Sequence, residues 1–296
     1  MYNAQEGQIV FFMTIFPFHL LCRSKRAFRY KENDFLFLYL CRRKNPIVMS
    51  KANNPEATHP ASLYEEILHR QDPEQAAHLS RFFKTGKGQY GEGDKFLGIK
   101  VPVVREVVKQ CWKTVSFFEL ESCVTSEYHE MRLAGLLTLV QFFKAAKGDR
   151  GLQQLNVSFY LSHLQYVNNW DLVDLTCYEI LGVWLLDKDR KLLYDLVENG
   201  RTIWEQRVGI VTTMQFLRHG ELDDTYALAE LFLQKPAPLH DLLQKAVGWL
   251  LREAGKRDEQ RLRDWLEPRR TSMPRTMLRY AIEKFPEEDR KRMMGK

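Results

Sequence analysis

Asn168-Asn169-Trp170-Asp171-Leu172-Val173-Asp174 opens a segment that helical spacing carries to about Trp184. Asn169 is placed to cap it, because its side-chain oxygen can accept a bond from an orphan backbone N–H. Val173, Cys177, Ile180 and Trp184 recur at helical spacing and form an apolar stripe. Trp170 and Asp174, four residues apart, share a different face. An aromatic ring and a carboxylate therefore stand side by side at a helix entrance. The plain reading is capping chemistry, since acids are favoured in a first turn by the helix dipole.

The same kind of segment recurs on both sides. Leu152–Val167 pairs with Trp170–Leu186, Lys188–Asn199 with Thr202–Leu217, Glu221–Leu233 with Leu239–Gly255, and Asp258–Leu266 with Ser272–Phe285. Upstream, helical signals cover Ser62–His69, Pro73–Lys84, Val103–Trp112, Ser116–Val124 and Ser126–Lys147. A unit of about 35–45 residues, two antiparallel helices each and no residue-for-residue repeat, is the signature of a HEAT-like array. The expectation is an all-α, right-handed solenoid of HEAT-like antiparallel helix pairs with a concave binding face. Each pair exposes an apolar side until the next pair stacks on it.

The chain has 296 residues and a net charge of +6. Residues 1–50 hold 8 Lys/Arg against 3 Asp/Glu, residues 51–244 hold 21 against 26, and residues 245–296 hold 15 against 9. The body is not a general polycation, so a surface for polyanions has to be local, and the C-terminal fifth is the candidate. Five cysteines without a CxxC pair point to a reducing compartment and no zinc site, with Cys123 and Cys177 as small core residues. No run of about 18 apolar residues occurs, so no membrane span is expected. Residues 1–50 differ in character from the rest, with Phe-rich apolar runs at Ile9–Cys22 and Phe35–Cys41. They are read as a poorly structured extension, with residues 51–296 forming the repeat domain. The alternative for residues 1–48 is a membrane-surface or targeting tail.

In Leu239–Gly255, Leu243, Val247 and Leu250 make the apolar stripe, while Lys245, Trp249, Arg252 and Lys256 share another face. A tryptophan centred on a basic stripe is either a nucleotide contact or an edge residue covered by lysine and arginine stems. Arg207, near Met214 and Arg218, reads by default as a solvated surface arginine. Arg269, Arg270, Arg275 and Arg279 add cationic density further on, and a charge run is usually a solvated face. Thr85–Lys95 carries four glycines and reads as a flexible loop, without the strand or lysine-serine ending of a phosphate-binding loop.

From Ala61 to Phe285 the chain resembles the AlkD-type DNA alkylation repair glycosylases, which are built from HEAT-like repeats. The likeness is carried by Phe96-Leu97-Gly98-Ile99 with Pro102, by Trp170-Asp171-Leu172-Val173-Asp174, by Trp204 to Arg207, and by Lys245-Ala246-Val247-Gly248-Trp249-Leu250-Leu251-Arg252-Glu253. The resemblance implies that Asp174 is the catalytic carboxylate and that Trp170 and Trp249 contact the lesion-bearing nucleotide. It implies that Arg207 supports the site and a phosphate. Phe82 stands where the family has a tyrosine, which removes a hydroxyl from that nucleotide contact. Lys245, Arg252, Lys256, Arg275 and Arg279 are the further candidates for DNA phosphates. The implied activity is hydrolytic release of cationic N3- and N7-alkylated purines, such as 3-methyladenine and 7-methylguanine, from double-stranded DNA without flipping the base. No cofactor, metal or membrane is implied, and the expectation is a monomer in the bacterial cytoplasm or nucleoid. The alternative is a non-catalytic HEAT-like module that binds DNA or protein.

Overall fold

The structure, a computed structural model, describes residues 62–295. The expected N-terminal extension lies outside the described residues. Helices α1 (Leu63–Leu68), α2 (Pro73–Phe82), α3 (Val101–Cys111), α4 (Phe117–Val124), α5 (His129–Ala145) and α6 (Arg150–Ser162) lead to α7 (Trp170–Asp174). Then follow α8 (Lys191–Asn199), α9 (Ile203–Val211), α10 (Met214–Arg218), α11 (Asp223–Gln234), α12 (Asp241–Gly255), α13 (Glu259–Leu266), α14 (Arg275–Ala281) and α15 (Glu287–Met293). The last of these was not anticipated from the sequence. Among the described residues no strand forms, and one isolated bridge joins Lys95 to Tyr128. The protein is an all-α helical-repeat solenoid.

Local chemistry sets where the helices start. Ser62, Asp72, Ser116, Asp149, Thr202 and Asp258 each accept the backbone N–H three residues on. Each such cap stabilises by about 0.5–2 kcal/mol relative to alanine. Asn169 caps α7 by accepting from Trp170 N at 2.9 Å.

Two long segments expected as single helices are broken, each where a threonine bonds back to its own helix. Thr176 Oγ1 donates to the Leu172 carbonyl at 2.5 Å, while its backbone N–H turns to the Val173 carbonyl at 3.1 Å. That competition with the backbone ladder ends α7 after Asp174, and a π-helical turn at Tyr178–Gly182 follows. Thr212 and Thr213 donate to the Val208 and Ile210 carbonyls, both at 2.7 Å, and the expected Thr202–Leu217 helix divides there into α9 and α10. The expected stripe is otherwise as read: Val173, Cys177 and Ile180 are fully buried, and Trp184 is partly buried beneath Lys188.

The helices stack in two rows. In the inner row α7 packs on α9, α9 on α12, and α12 on α14. In the outer row α8 packs on α11, and each inner helix takes an outer partner, α9 with α8 and α12 with α11 and α13. The pairing expected between Asp258–Leu266 and Ser272–Phe285 is weaker than read, because α13 and α14 both lean chiefly on α12. The α12–α14 crossing is close: a Cβ at Gly248 would lie 2.5 Å from the Met277 carbonyl oxygen and 2.6 Å from Tyr280 Cβ. Only glycine admits that approach. The core runs the length of the stack and contains Cys123 and Cys177 as free thiols. No described helix is long and apolar enough to cross a membrane.

Candidate active site

The inner row carries the site because each of its helices turns one polar or aromatic face towards a common opening. Trp170 and Asp174 come from α7, Arg207 from α9, Asp241, Lys245, Trp249 and Arg252 from α12, and Tyr280 from α14. Phe82, Lys84, Gln89 and Tyr90 close the opposite lip, from α2 and the loop after it. Together they line a solvent-open groove of about 780 Å³. Asp241, Lys245, Trp249 and Arg252 fall four, four and three residues apart, so one face of α12 supplies them all.

Asp174 is the inner-row acid held by a buried arginine. Arg207 Nε donates to its Oδ1 at 2.8 Å and Arg207 Nη2 to its Oδ2 at 2.6 Å. The third donor, Arg207 Nη1, goes to the Leu242 carbonyl at 2.5 Å and ties the pair to the start of α12. Burial pushes the Asp174 carboxyl above its ordinary value, and the guanidinium works against that shift. The bidentate fork fixes both carboxylate oxygens in one plane. Asp174 keeps 17% of its side chain exposed against 7% for Arg207, so the carboxylate still opens on the groove.

A second network holds the start of α7 from beneath. His129 on α5 meets Asp171 through Nε2 at 2.8 Å and Asp94 through Nδ1 at 3.4 Å. Burial opposes a charged imidazole here, but Asp171 and Asp94 outweigh it and raise the His129 pKa to about 9. Arg132 Nη2 donates to Asp94 at 2.7 Å, and burial of that carboxyl is overcome by His129 and Arg132, which lower its pKa. Above the network the Phe83 ring stacks on Trp170 at 5.3 Å and contacts His129 at 4.9 Å. Phe96 stacks on His129 at 4.6 Å. Glu130, next to His129, accepts the backbone N–H groups of Leu97, Gly98 and Ile99 at 2.9, 2.8 and 3.0 Å, which pins that short motif to α5.

The family model described as "DNA alkylation repair enzyme" matches residues 63–285. The chain belongs to the DNA alkylation repair enzyme family. Membership carries a role in DNA repair, with DNA as the substrate. A solved structure described as a predicted DNA alkylation repair enzyme from Enterococcus faecalis matches with a TM-score of 0.56 at 19% identity, covering 73% of this chain and 97% of that one. At that identity the likeness speaks for the fold alone. No curated protein matches the sequence significantly.

In this DNA alkylation repair family member, the groove gathers Phe82, Trp170, Asp174, Arg207, Lys245, Trp249 and Arg252. Three of the cations named from the sequence are placed elsewhere. Lys256 shares its helical face with Lys245 but lies eleven residues on, roughly 16 Å along the axis, and pairs with Glu253 at 2.6 Å. Arg275 donates to the Met294 carbonyl at 2.5 Å. Arg279 is exposed outside the groove walls, 6.0 Å from the Tyr280 ring centroid. Arg207 also differs from its default reading as a solvated surface arginine: it is buried, and three of its N–H groups go to Asp174 and the Leu242 carbonyl. Arg252 pairs with Glu283, and Lys245 with Asp241 at 2.7 Å.

Sequence reading missed Tyr90, Lys84 and Tyr280 on the groove walls. Tyr90 had one available signal, as the only aromatic residue in the glycine-rich run. Tyr280 had another: Gly248 before Trp249 marks a close crossing, and the crossing helix has to face the same groove.

Proposed function

We propose that the protein is a monofunctional DNA glycosylase that hydrolyses the N-glycosidic bond of cationic N3- and N7-alkylated purines, 3-methyladenine and 7-methylguanine among them. The observation that carries this reading is Asp174, a carboxylate gripped by Arg207 and opening onto a groove lined by two indoles. Alkylation at those ring nitrogens leaves the base positively charged and already a good leaving group. When the C1′–N bond breaks, its electron pair goes to the base and cancels that charge, so no general acid is needed. Positive charge moves to the sugar, as in other oxocarbenium-like cleavages. Ionised Asp174 faces that charge and stabilises it, and it accepts the proton of the water that adds at C1′.

Trp170 and Trp249 present ring faces to a cationic nucleotide, worth about 0.5–2 kcal/mol each. Lys84, Lys245 and Arg252 provide the positive charge of the groove for backbone phosphates. The groove is open instead of an enclosed base pocket, which supports excision from a cradled duplex over extrusion of the base. The protein acts as a monomer in the cytoplasm or nucleoid. The test is release of 7-methylguanine from methylated duplex DNA, with Asp174→Asn as control. Release by the wild type and its loss in the variant is the expected result; no release by the wild type assigns the groove to a non-catalytic DNA-binding module instead.

A further inference from the structure

The glycine-rich run after α2 reads from its composition as a flexible loop, but it is folded back on itself and tied down at both ends. At its start Lys84 takes a φ of 54°, and its carbonyl accepts the Gly91 N–H at 3.2 Å. A Cβ at Gly91 would lie 2.4 Å from the Phe83 carbonyl oxygen, so glycine is what lets the loop close. Inside it a tight turn is closed in both directions: Gln89 N donates to the Gly86 carbonyl at 3.0 Å, and Gly86 N to Gln89 Oε1 at 3.1 Å. Gly88 N donates to Glu92 Oε2 at 2.8 Å. At its end Asp94 accepts from Asn168 Nδ2 at 3.2 Å and from Asn169 Nδ2 at 3.4 Å. The N–H groups of Gly86, Gly88 and Gly91 are thus used within the loop, so what it offers a ligand is side chains and not a backbone cradle.

The side chains with free donors lie at the groove or beside it. Lys84, Gly88, Gln89 and Tyr90 stand on the groove wall, on the lip opposite α12. Lys87 heads the turn between Gly86 and Gly88. Lys84 and Lys87 are exposed, and among the described residues neither ammonium has an acid partner. The α12 cations across the groove are already paired, Lys245 with Asp241 at 2.7 Å and Arg252 with Glu283. Gln89 has its amide oxygen fixed by the Gly86 N–H, which leaves both Nε2 hydrogens as donors. Two unpaired ammonium groups and an amide donor on a held loop suit the anionic oxygens of a nucleic-acid backbone.

We propose that residues 84–94 form a second DNA-gripping wall: Lys84 and Lys87 neutralise backbone phosphates on the lip opposite α12, and Gln89 donates to a phosphate or sugar oxygen beside them. This rests on the groove being the DNA site, as proposed above. Asn168 and Asn169, which tie the end of the loop, immediately precede Trp170, so the grip is held in register with the start of α7. The plain reading of the same residues is a solvated surface loop.

The test uses the full chain and an unmodified duplex, with affinity measured over a series of salt concentrations. Lys84→Gln/Lys87→Gln is expected to lower the salt slope by about two units, one for each phosphate contact. Its thermal unfolding is expected to match the wild type, because neither ammonium has an internal acid to lose. Lys109→Gln/Lys147→Gln removes the same charge from exposed positions outside the groove walls and is expected to leave the slope alone. Gln89→Glu keeps an oxygen for the Gly86 N–H and replaces the free donors with a carboxylate, so affinity is expected to fall about tenfold. A slope that falls no further in the loop variant than in the reference variant overturns the grip, and an unchanged affinity in Gln89→Glu overturns that contact. Duplex binding does not require base release, so these readouts fail separately from the glycosylase reading. A wild type that binds no duplex overturns the grip together with the groove as the DNA site.

Discussion

Arg207→Met isolates the interaction on which the site depends. The wild-type guanidinium gives two donors to Asp174, at 2.8 and 2.6 Å, and one to the Leu242 carbonyl at 2.5 Å. Methionine refills most of the stem's volume but leaves a carboxylate and a carbonyl without their partner. Breaking a buried pair by removing one member costs about 3–5 kcal/mol. Asp174 retains some access to groove water, which places the expected loss near the lower end, about 3 kcal/mol. For a domain of this size that is a fall in Tm of about 6–12 °C. Asp174→Leu strands the guanidinium in the same way and should cost a similar amount.

The double variant removes both charges at once and is therefore less damaged than the two singles suggest. A coupling of about 2–3 kcal/mol is expected from the four-protein cycle, measured by urea unfolding at one fixed ionic strength. Additivity within about 0.5 kcal/mol would show that the two side chains do not act as a unit, and the account of Asp174 as a carboxylate held in place would be wrong. The pH profile of base release gives a second view of the same pair. Asp174 acts ionised and burial raises its pKa, so activity should fall on the acid side at a pH above that of an ordinary aspartate. Arg207→Lys keeps a charge but not the planar fork, so its acid limb should lie higher still.

Other outcomes follow from the same geometry. Gly248→Ala drives a methyl group into the Met277 carbonyl and Tyr280; about 1–3 kcal/mol of stability should be lost on thermal unfolding, and an unchanged Tm would mean that the α12–α14 crossing is not tight. His129 has its pKa raised to about 9 from 6.5, so its contribution to stability is full below about 6.5 and disappears as pH rises through 9; in Asp171→Asn that alkaline loss should shrink when stability is followed from pH 6 to about pH 10. Lys245→Ala should lower the salt dependence of duplex binding by about one unit of slope, whereas Arg275→Ala should leave the slope alone because Arg275 is held at the Met294 carbonyl; equal slopes for the two variants would contradict the placement of the groove.

The helix pairs were legible because amphipathic spacing and side-chain caps are local properties, and Asn169, Thr202 and Ser62 act at the positions their sequence contexts indicate. The breaks after Asp174 and Val211 were not, since a threonine bonding back to its own helix looks like any other threonine until the ladder is seen to fail. The folded glycine-rich loop was opaque for a different reason. Its order comes from Asp94 meeting asparagines more than seventy residues away, and no local pattern reports a contact of that range.

Long-range contacts in a repeat array nevertheless obey a rule that the sequence does carry. Arg207 meets Asp174 across 33 residues and Leu242 across 35, each about one repeat. The C-terminal arginines obey it too: Arg261 reaches Asp223 across 38 residues and Arg269 reaches Glu230 across 39. The acidic excess of residues 51–244 and the basic excess of residues 245–296 are therefore partly complementary sides of one stacked interface. Arg261 and Arg269 are thus spent on stacking, which is why a count of basic residues by segment pointed too broadly to the C-terminal fifth. What selects the groove cations is their place on the inner face of α12, beside Trp249 and one repeat beyond the Asp174–Arg207 pair.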